Sequence, residues 1–195
     1  MRTLRSDRLV LEPVDSRNAR ELWRILGAPD LRRFQDIPRL RAEEFERQVR
    51  SRPRALQAQV TGRFEWLVRR AHPLESIGWV SLRVNERTPD VGEIGYSLIE
   101  EARGSGYATE ALNTVVSEAF SVGELGELQA CCVPENAPSR AVLDRAGFRE
   151  LRLLRGGAMI RGRHVDVVLY SVHRGEWTRN HAHKAVGSER AEASS

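Results

Sequence analysis

The stretch Arg103-Gly104-Ser105-Gly106-Tyr107-Ala108-Thr109 joins an apolar run, EIGYSLI, to a segment with helical apolar spacing. A glycine-punctuated turn at a helix N-terminus presents backbone N–H groups to an anion, and the helix dipole adds to the attraction. Gly104 and Gly106 carry no Cβ that would hold a phosphate away from the main chain. The chemistry to expect is pyrophosphate binding by amides, with Arg103 either adding a charge-assisted contact or stabilising the turn. Two common alternatives fail on spacing. A Walker loop ends in Gly-Lys-Ser/Thr, and this turn has no lysine. A dinucleotide fingerprint needs G-x-G-x-x-G, and Thr109 stands where the third glycine belongs.

What fits is Arg/Gln-x-x-Gly-x-Gly/Ala, matched by Arg103 through Ala108. Downstream, Asn136-Ala137-Pro138-Ser139 leads through Leu143 to Gly147-Phe148. Upstream, Glu93-Ile94-Gly95-Tyr96 precedes the turn, and the chain opens on SDRLVLEP and closes with Asp166 and Tyr170 in its last strand. Taken in this order, over roughly residues 4–177, these motifs resemble the GNAT superfamily of N-acetyltransferases. Within it they look most like the RimJ/RimL-type branch, which acetylates ribosomal-protein N-termini.

The resemblance implies an α/β GNAT fold: a mixed central sheet, splayed between the fourth and fifth strands, with helices on both faces. It implies acetyl-CoA as co-substrate and direct attack by a primary amine within a ternary complex. The pyrophosphate would be held by Arg103, Gly104, Ser105, Gly106, Tyr107, Ala108 and Thr109. Backbone groups of Leu98 and Ile99 would face the pantetheine arm, with Asn136 near its amide. An attacking amine must lose a proton, and Glu93 is similar in position to the proposed base of related enzymes. Many family members place a tyrosine acid where this chain has Leu143, so Ser139 inherits the contact with the leaving thiolate. Ser139 could also cap the helix that follows it. The branch points to a protein N-terminal α-amine as acceptor. A polyamine, an amino-acid derivative or an aminoglycoside is the alternative, and a non-catalytic acyl-CoA-binding domain is another. The resemblance also admits a homodimer.

The elements that must position these residues follow from periodicity. Leu4–Pro13 reads as a strand, and Ala19, Leu22, Trp23 and Leu26 share a helix face. A second helix is expected over Arg41–Arg54. Strands are expected at Arg63–Arg70, Ser76–Val84, Glu93–Ile99, Leu128–Val133, Phe148–Leu154 and Arg163–Val172. Helices are expected at Thr109–Phe120 and Ser139–Ala146. Residues 1–179 then form one domain, and the polar, Ala- and Ser-rich residues 180–195 a disordered tail. Trp23, Trp66 and Trp79 fit core positions, with Trp66 or Trp79 also able to face an acceptor. The adjacent Cys131 and Cys132 read as small apolar strand residues on opposite faces.

Composition bounds the rest. The 195 residues are 41% hydrophobic and 30% charged, as expected for a globular domain. No apolar run approaches the roughly 18–20 residues of a membrane span, and the N-terminus lacks a signal-peptide core, so a cytoplasmic, membrane-free protein is expected. Residues 1–70 carry 17 Arg against 10 Asp or Glu, a basic half that leans against a polyamine acceptor. Arg32-Arg33-Phe34 lies where family members shape the acceptor pocket, and arginine there could read an acidic substrate. Basic residues are not interleaved with exposed aromatics, so no nucleic-acid partner is expected. The five histidines show no metal-ligand spacing, so no metal is expected.

Overall fold

The computed structural model describes residues 1–29, 31, 34–37 and 39–180. Its strands are β1 (Leu4–Arg5), β2 (Leu9–Pro13), β3 (Gly62–Arg70), β4 (Glu75–Asn85), β5 (Thr88–Leu98), β6 (Glu127–Cys132), β7 (Arg149–Ile160) and β8 (Arg163–His173). Its helices are α1 (Ala19–Leu26), α2 (Ala42–Arg50), α3 (Tyr107–Ser121), α4 (Ala137–Arg145) and a last one over 174–180. The strands form one mixed sheet in the order β1-β2-β3-β4-β5-β6-β8-β7. The expected tail lies, beyond Asn180, outside the described residues.

Alternation along the strands divides the sheet into two faces. Phe64, Trp66 and Val68 of β3, Val80, Leu82 and Val84 of β4, and Leu128, Ala130 and Cys132 of β6 are buried in one core with Leu112, Val115 and Val116 of α3 and Leu143 of α4. The opposite face contributes Leu67 and Trp79 to a smaller core with Ala19 and Leu22 of α1 and Phe45 and Val49 of α2.

The parallel pair β5–β6 is the feature that opens the sheet. It is in register only at Val91↔Glu127, Gly92↔Leu128 and Glu93↔Gln129, and beyond Glu93 the two strands part. The expected splay is therefore present, and it begins at Glu93.

β5 starts earlier than expected, at Thr88 rather than Glu93, α2 ends earlier, at Arg50, and the helix over 174–180 is unexpected. Three further elements depart from the sequence-based expectation. Leu4–Pro13 is two short antiparallel strands, because Ser6-Asp7-Arg8 turns and docks on α3: Ser6 Oγ and Arg8 N–H both donate to Glu110 Oε1, at 2.8 and 2.9 Å. The strand from Arg149 continues past Gly156-Gly157 to Ile160. The glycines form a bulge, with Gly156 at φ +58° and its N–H given to Asp166 Oδ1 at 2.8 Å. The helix after β6 starts at Ala137 because Asn136 Oδ1 accepts the Ser139 N–H, at 3.3 Å, and Pro138 fits the first turn. The cap is thus Asn136, and Ser139 is inside the helix.

Candidate active site at the splay

The glycine turn sits where β5 hands over to α3. Gly104 and Gly106 have φ of +78° and +82°, conformations in which a side chain is strained. A Cβ at Gly104 would meet nothing within 4 Å, so the space in front of this backbone is open to a ligand. Gly106 O receives the Glu110 N–H at 3.1 Å, and the amides of Tyr107, Ala108 and Thr109 ahead of that bond have no intrahelical acceptor. This is the donor set a pyrophosphate requires. Arg8 braces it: its Nη1 donates to Ser105 O at 3.0 Å, and its guanidinium lies 4.6 Å from the centre of the Tyr107 ring.

Arg103 turns back onto β5, its Nε and Nη2 both donating to Leu98 O, at 3.0 and 2.9 Å. These contacts stabilise the turn. Leu98 is on the splayed edge. Ile99 is committed differently, its N–H to Ile77 O at 2.9 Å and its carbonyl to Ala102 N–H at 3.1 Å.

A cleft of about 470 Å³ passes through the splay and reaches both faces of the sheet. Glu93, Asn136 and Ser139 all line it, whereas Arg103–Thr109 lie outside it at the far end of β5. On the α1/α2 face Glu93 is exposed and forms an ion pair with Arg83 at 3.5 Å. On the α3/α4 face Tyr96 Oη lies 2.9 Å from Ser139 Oγ and 2.9 Å from Ser139 O. Burial, partly offset by the hydrogen bond to Ser139, pushes the Tyr96 phenol well above its usual range. It therefore stays a proton donor at neutral pH.

Tyr96 has no catalytic assignment in the sequence reading. Its only signal is position: three residues after Glu93 on a strand, it must face the other side of the sheet. Gln35 was not singled out either. It comes from the loop before α2, donates through Nε2 to Tyr96 O at 2.9 Å, and keeps a buried Oε1 with no partner among the described residues. Nothing in the arginine-rich sequence around it marks that reach. Arg32 and Arg33 lie outside the described residues, while Phe34 lines the cleft.

Of the tryptophans, Trp23 and Trp79 line the cleft, and Trp66 is buried in the larger core. Cys132 is buried there too, whereas Cys131 is exposed toward the cleft, its thiol pushed up by burial and by the Glu93 carboxylate. Asp166 and Tyr170 serve the fold. The first ties the β7 bulge, and the second hydrogen-bonds Arg140 Nε and Glu150 Oε2, at 3.0 and 3.2 Å.

The acetyltransferase (GNAT) domain model matches residues 8–149. The chain belongs to the GNAT family. Over 100 residues it is 36% identical to the putative ribosomal N-acetyltransferase YdaF of Bacillus subtilis (strain 168), a match covering 51% of this chain and 55% of YdaF. The chain thus spans about half the length of that relative. The GNAT fold is shared with the ribosomal-protein-S5-alanine acetyltransferase of Vibrio fischeri, at TM-score 0.76 and 19% identity over 91% of this chain and 99% of that one. It is shared also with Mycobacterium smegmatis RimJ in complex with CoA-disulfide, at TM-score 0.70 and 24% identity over 93% and 90%. In this GNAT chain β5 and β6 part beyond Glu93, and Leu143 of α4 is buried.

Proposed function

We propose that this GNAT protein transfers the acetyl group of acetyl-CoA to a protein N-terminal α-amine. The observation that carries the reading is the cleft through the splay, lined by Glu93 on one face of the sheet and by Tyr96 and Ser139 on the other. The residues present suit the co-substrate: open amides at Gly104–Thr109 for its pyrophosphate, and the splayed edge of β5 for its arm, although the Leu98 carbonyl on that edge is already held by Arg103. When bound, acetyl-CoA supplies the thioester electrophile. Asn136 is held at the head of α4, beside the path of the pantetheine arm.

Glu93 takes the proton that the amine must lose, directly or through one water. Ser139 Oγ directs its hydrogen at the leaving sulfur. Tyr96 Oη, 2.9 Å away, keeps its own proton and, by turning its hydrogen bond from Ser139 O to Oγ, orients that hydroxyl. The departing thiolate takes its proton from solvent. The missing tyrosine at Leu143 is in this way compensated from β5 instead of α4. The proteinaceous acceptor is supported by the names of YdaF, a putative ribosomal N-acetyltransferase, and of the Vibrio fischeri ribosomal-protein-S5-alanine acetyltransferase. A spermidine N-acetyltransferase chimera shares the fold at TM-score 0.75 and keeps a small amine as the alternative.

The test has two steps. Acetyl-CoA at about 100 times its Kd stabilises a native protein by roughly 2.7 kcal/mol, which for this size raises Tm by several degrees. Thiol release from acetyl-CoA is then followed with peptide N-termini and with small amines. Absence of a thermal shift at millimolar acetyl-CoA removes the co-substrate. A shift without thiol release from any amine leaves a binding domain and removes the transferase.

A further inference from the structure

The α1/α2 face of the cleft carries an unbalanced charge array. Arg63 of β3 stands directly opposite Arg83 of β4, and Arg83 directly opposite Glu93 of β5. Facing residues of neighbouring strands point to the same side, so the two guanidinium groups share one surface, an arrangement that is unfavourable without an anion. The next row holds Glu65, 1% exposed, which Arg52 and Arg63 both engage, the latter at 2.7 Å. Three arginines therefore share two carboxylates. Asp36 and Arg39, which also line the cleft, offset each other.

Two residues that line the same cleft carry a buried polar atom without a partner among the described residues. Trp79 is 6% exposed and lines the cleft, and its Nε1 donor has no partner among the described residues. Gln35 Oε1, an acceptor, is equally without one at the mouth of the splay, where Gln35 is fixed by its bond to Tyr96 O. Buried polar groups in native folds are paired, and an orphan calls for a ligand or water. The donors gather with the arginines on β3 and β4, and the acceptors Gln35 Oε1 and Glu93 with β5.

We propose that the acceptor carries a carboxylate close to its amine, the carboxylate held between Arg63 and Arg83 and the amine received at Gln35 and Glu93. This rests on the transferase reading and narrows its substrate class. β3 and β5 are two strand spacings apart, about 10 Å. An acidic side chain on the second or third residue of an extended peptide starts about 4–7 Å from the terminal Cα and covers the remainder. The planar fork of arginine grips a carboxylate through two parallel hydrogen bonds. A free acidic amino acid offers the same chemistry, and a polyamine offers the opposite.

The experiment follows thiol release with matched peptides Ser-Glu and Ser-Gln at the N-terminus, and with free glutamate against free glutamine. The expected result is a kcat/KM about tenfold higher for the acidic member, expressed in KM, equivalent to about 1.4 kcal/mol. In Arg83→Gln and Arg63→Gln the ratio falls toward one, and Arg83→Glu reverses it in favour of a Ser-Lys peptide. Arg63→Gln also uncovers Glu65, so Tm is recorded for each variant, and the more exposed Arg83 supplies the decisive comparison. A preference seen with free glutamate but not with peptides identifies a small acceptor and leaves the carboxylate site standing. Transfer with no acid preference overturns this proposal alone, as does a preference that survives both arginine substitutions. No transfer to any amine overturns the transferase reading and this proposal with it.

Discussion

Tyr96 and Ser139 are joined across the gap between β5 and α4 by a 2.9 Å contact between their hydroxyls. Tyr96 Oη lies equally close to Ser139 O, at 2.9 Å, and Glu93, three residues before Tyr96, is on the opposite face of the sheet. Under the proposed function the pair gives the splay a hydrogen-bond donor for the leaving sulfur that does not depend on the position occupied by Leu143.

Tyr96→Phe removes the hydroxyl that orients the Ser139 hydrogen while keeping the ring packed. Ser139→Ala, which removes that hydrogen itself, should lose more turnover than Tyr96→Phe. Tyr96→Phe should lose about tenfold in kcat, with the KM for acetyl-CoA little changed. Because burial raises the Tyr96 phenol, it remains protonated throughout the neutral range. Wild-type activity should therefore show no alkaline loss attributable to it below pH 9. A Tyr96→Phe enzyme with wild-type kcat would remove the orienting role.

Glu93→Gln should lower kcat about 10²-fold or more, the range of general base catalysis, without altering the acetyl-CoA-induced rise in Tm. The glycine turn lies at the other end of β5, so the two readouts are independent. Unchanged turnover across the pH range would take the base role away from Glu93.

Gly104→Ala separates conformational strain from ligand contact. The added Cβ meets no protein atom, so the stability cost arises from φ alone, about 1–2 kcal/mol. The same Cβ enters the space in front of the amides, so the acetyl-CoA-induced shift in Tm should shrink by more than that cost explains. Calorimetry with and without acetyl-CoA measures both. A variant that loses stability but binds as well as wild type would place the pyrophosphate elsewhere.

The brace behind that turn is acid-sensitive. Burial works to raise the Glu110 carboxyl, but the Arg8 N–H, the Ser6 hydroxyl and the Arg8 guanidinium outweigh it and hold it below its usual value. A carboxyl depressed in the folded state stabilises above its unfolded pKa, about 4.3, and that stability is lost as pH falls through the folded value. Tm measured from pH 7 to 3 should therefore fall less steeply in Glu110→Gln than in wild type, from a lower starting point. Parallel curves would show that Glu110 contributes no linkage.

Local pattern made much of this legible. The apolar spacing of Ala111, Leu112, Val115 and Val116 defined α3 in the sequence, and the alternation Trp79-Val80-Ser81-Leu82-Arg83-Val84 defined β4 and its two faces. The turn at Gly104–Gly106 was legible because only a few residue types tolerate its dihedrals. What escaped were relationships between distant segments. The strand expected over Phe148–Leu154 stops short of Gly156-Gly157, since a strand bulge and a strand end look alike until the partner strand is known. Asn136 displaced Ser139 as helix cap because the choice depends on where the preceding strand leaves the chain. Gln35 and Tyr96 are 61 positions apart, and no local rule connects a loop amide to a strand carbonyl at that separation. The charge array across Arg63, Arg83 and Glu93 appears only once the register of three strands is known.

The split of the sheet beyond Glu93 has a logistical consequence. The glycine turn opens on the side of α3, and the arginine-lined end of the cleft on the side of α1 and α2. Under the proposed assignment the two substrates approach from opposite directions and meet only at the breach. A partner as bulky as a folded protein can then remain docked in front while spent coenzyme departs through the rear and a fresh molecule takes its place. Acceptor size and coenzyme turnover are thereby uncoupled, and a cleft of modest volume can serve a macromolecule without having to enclose it.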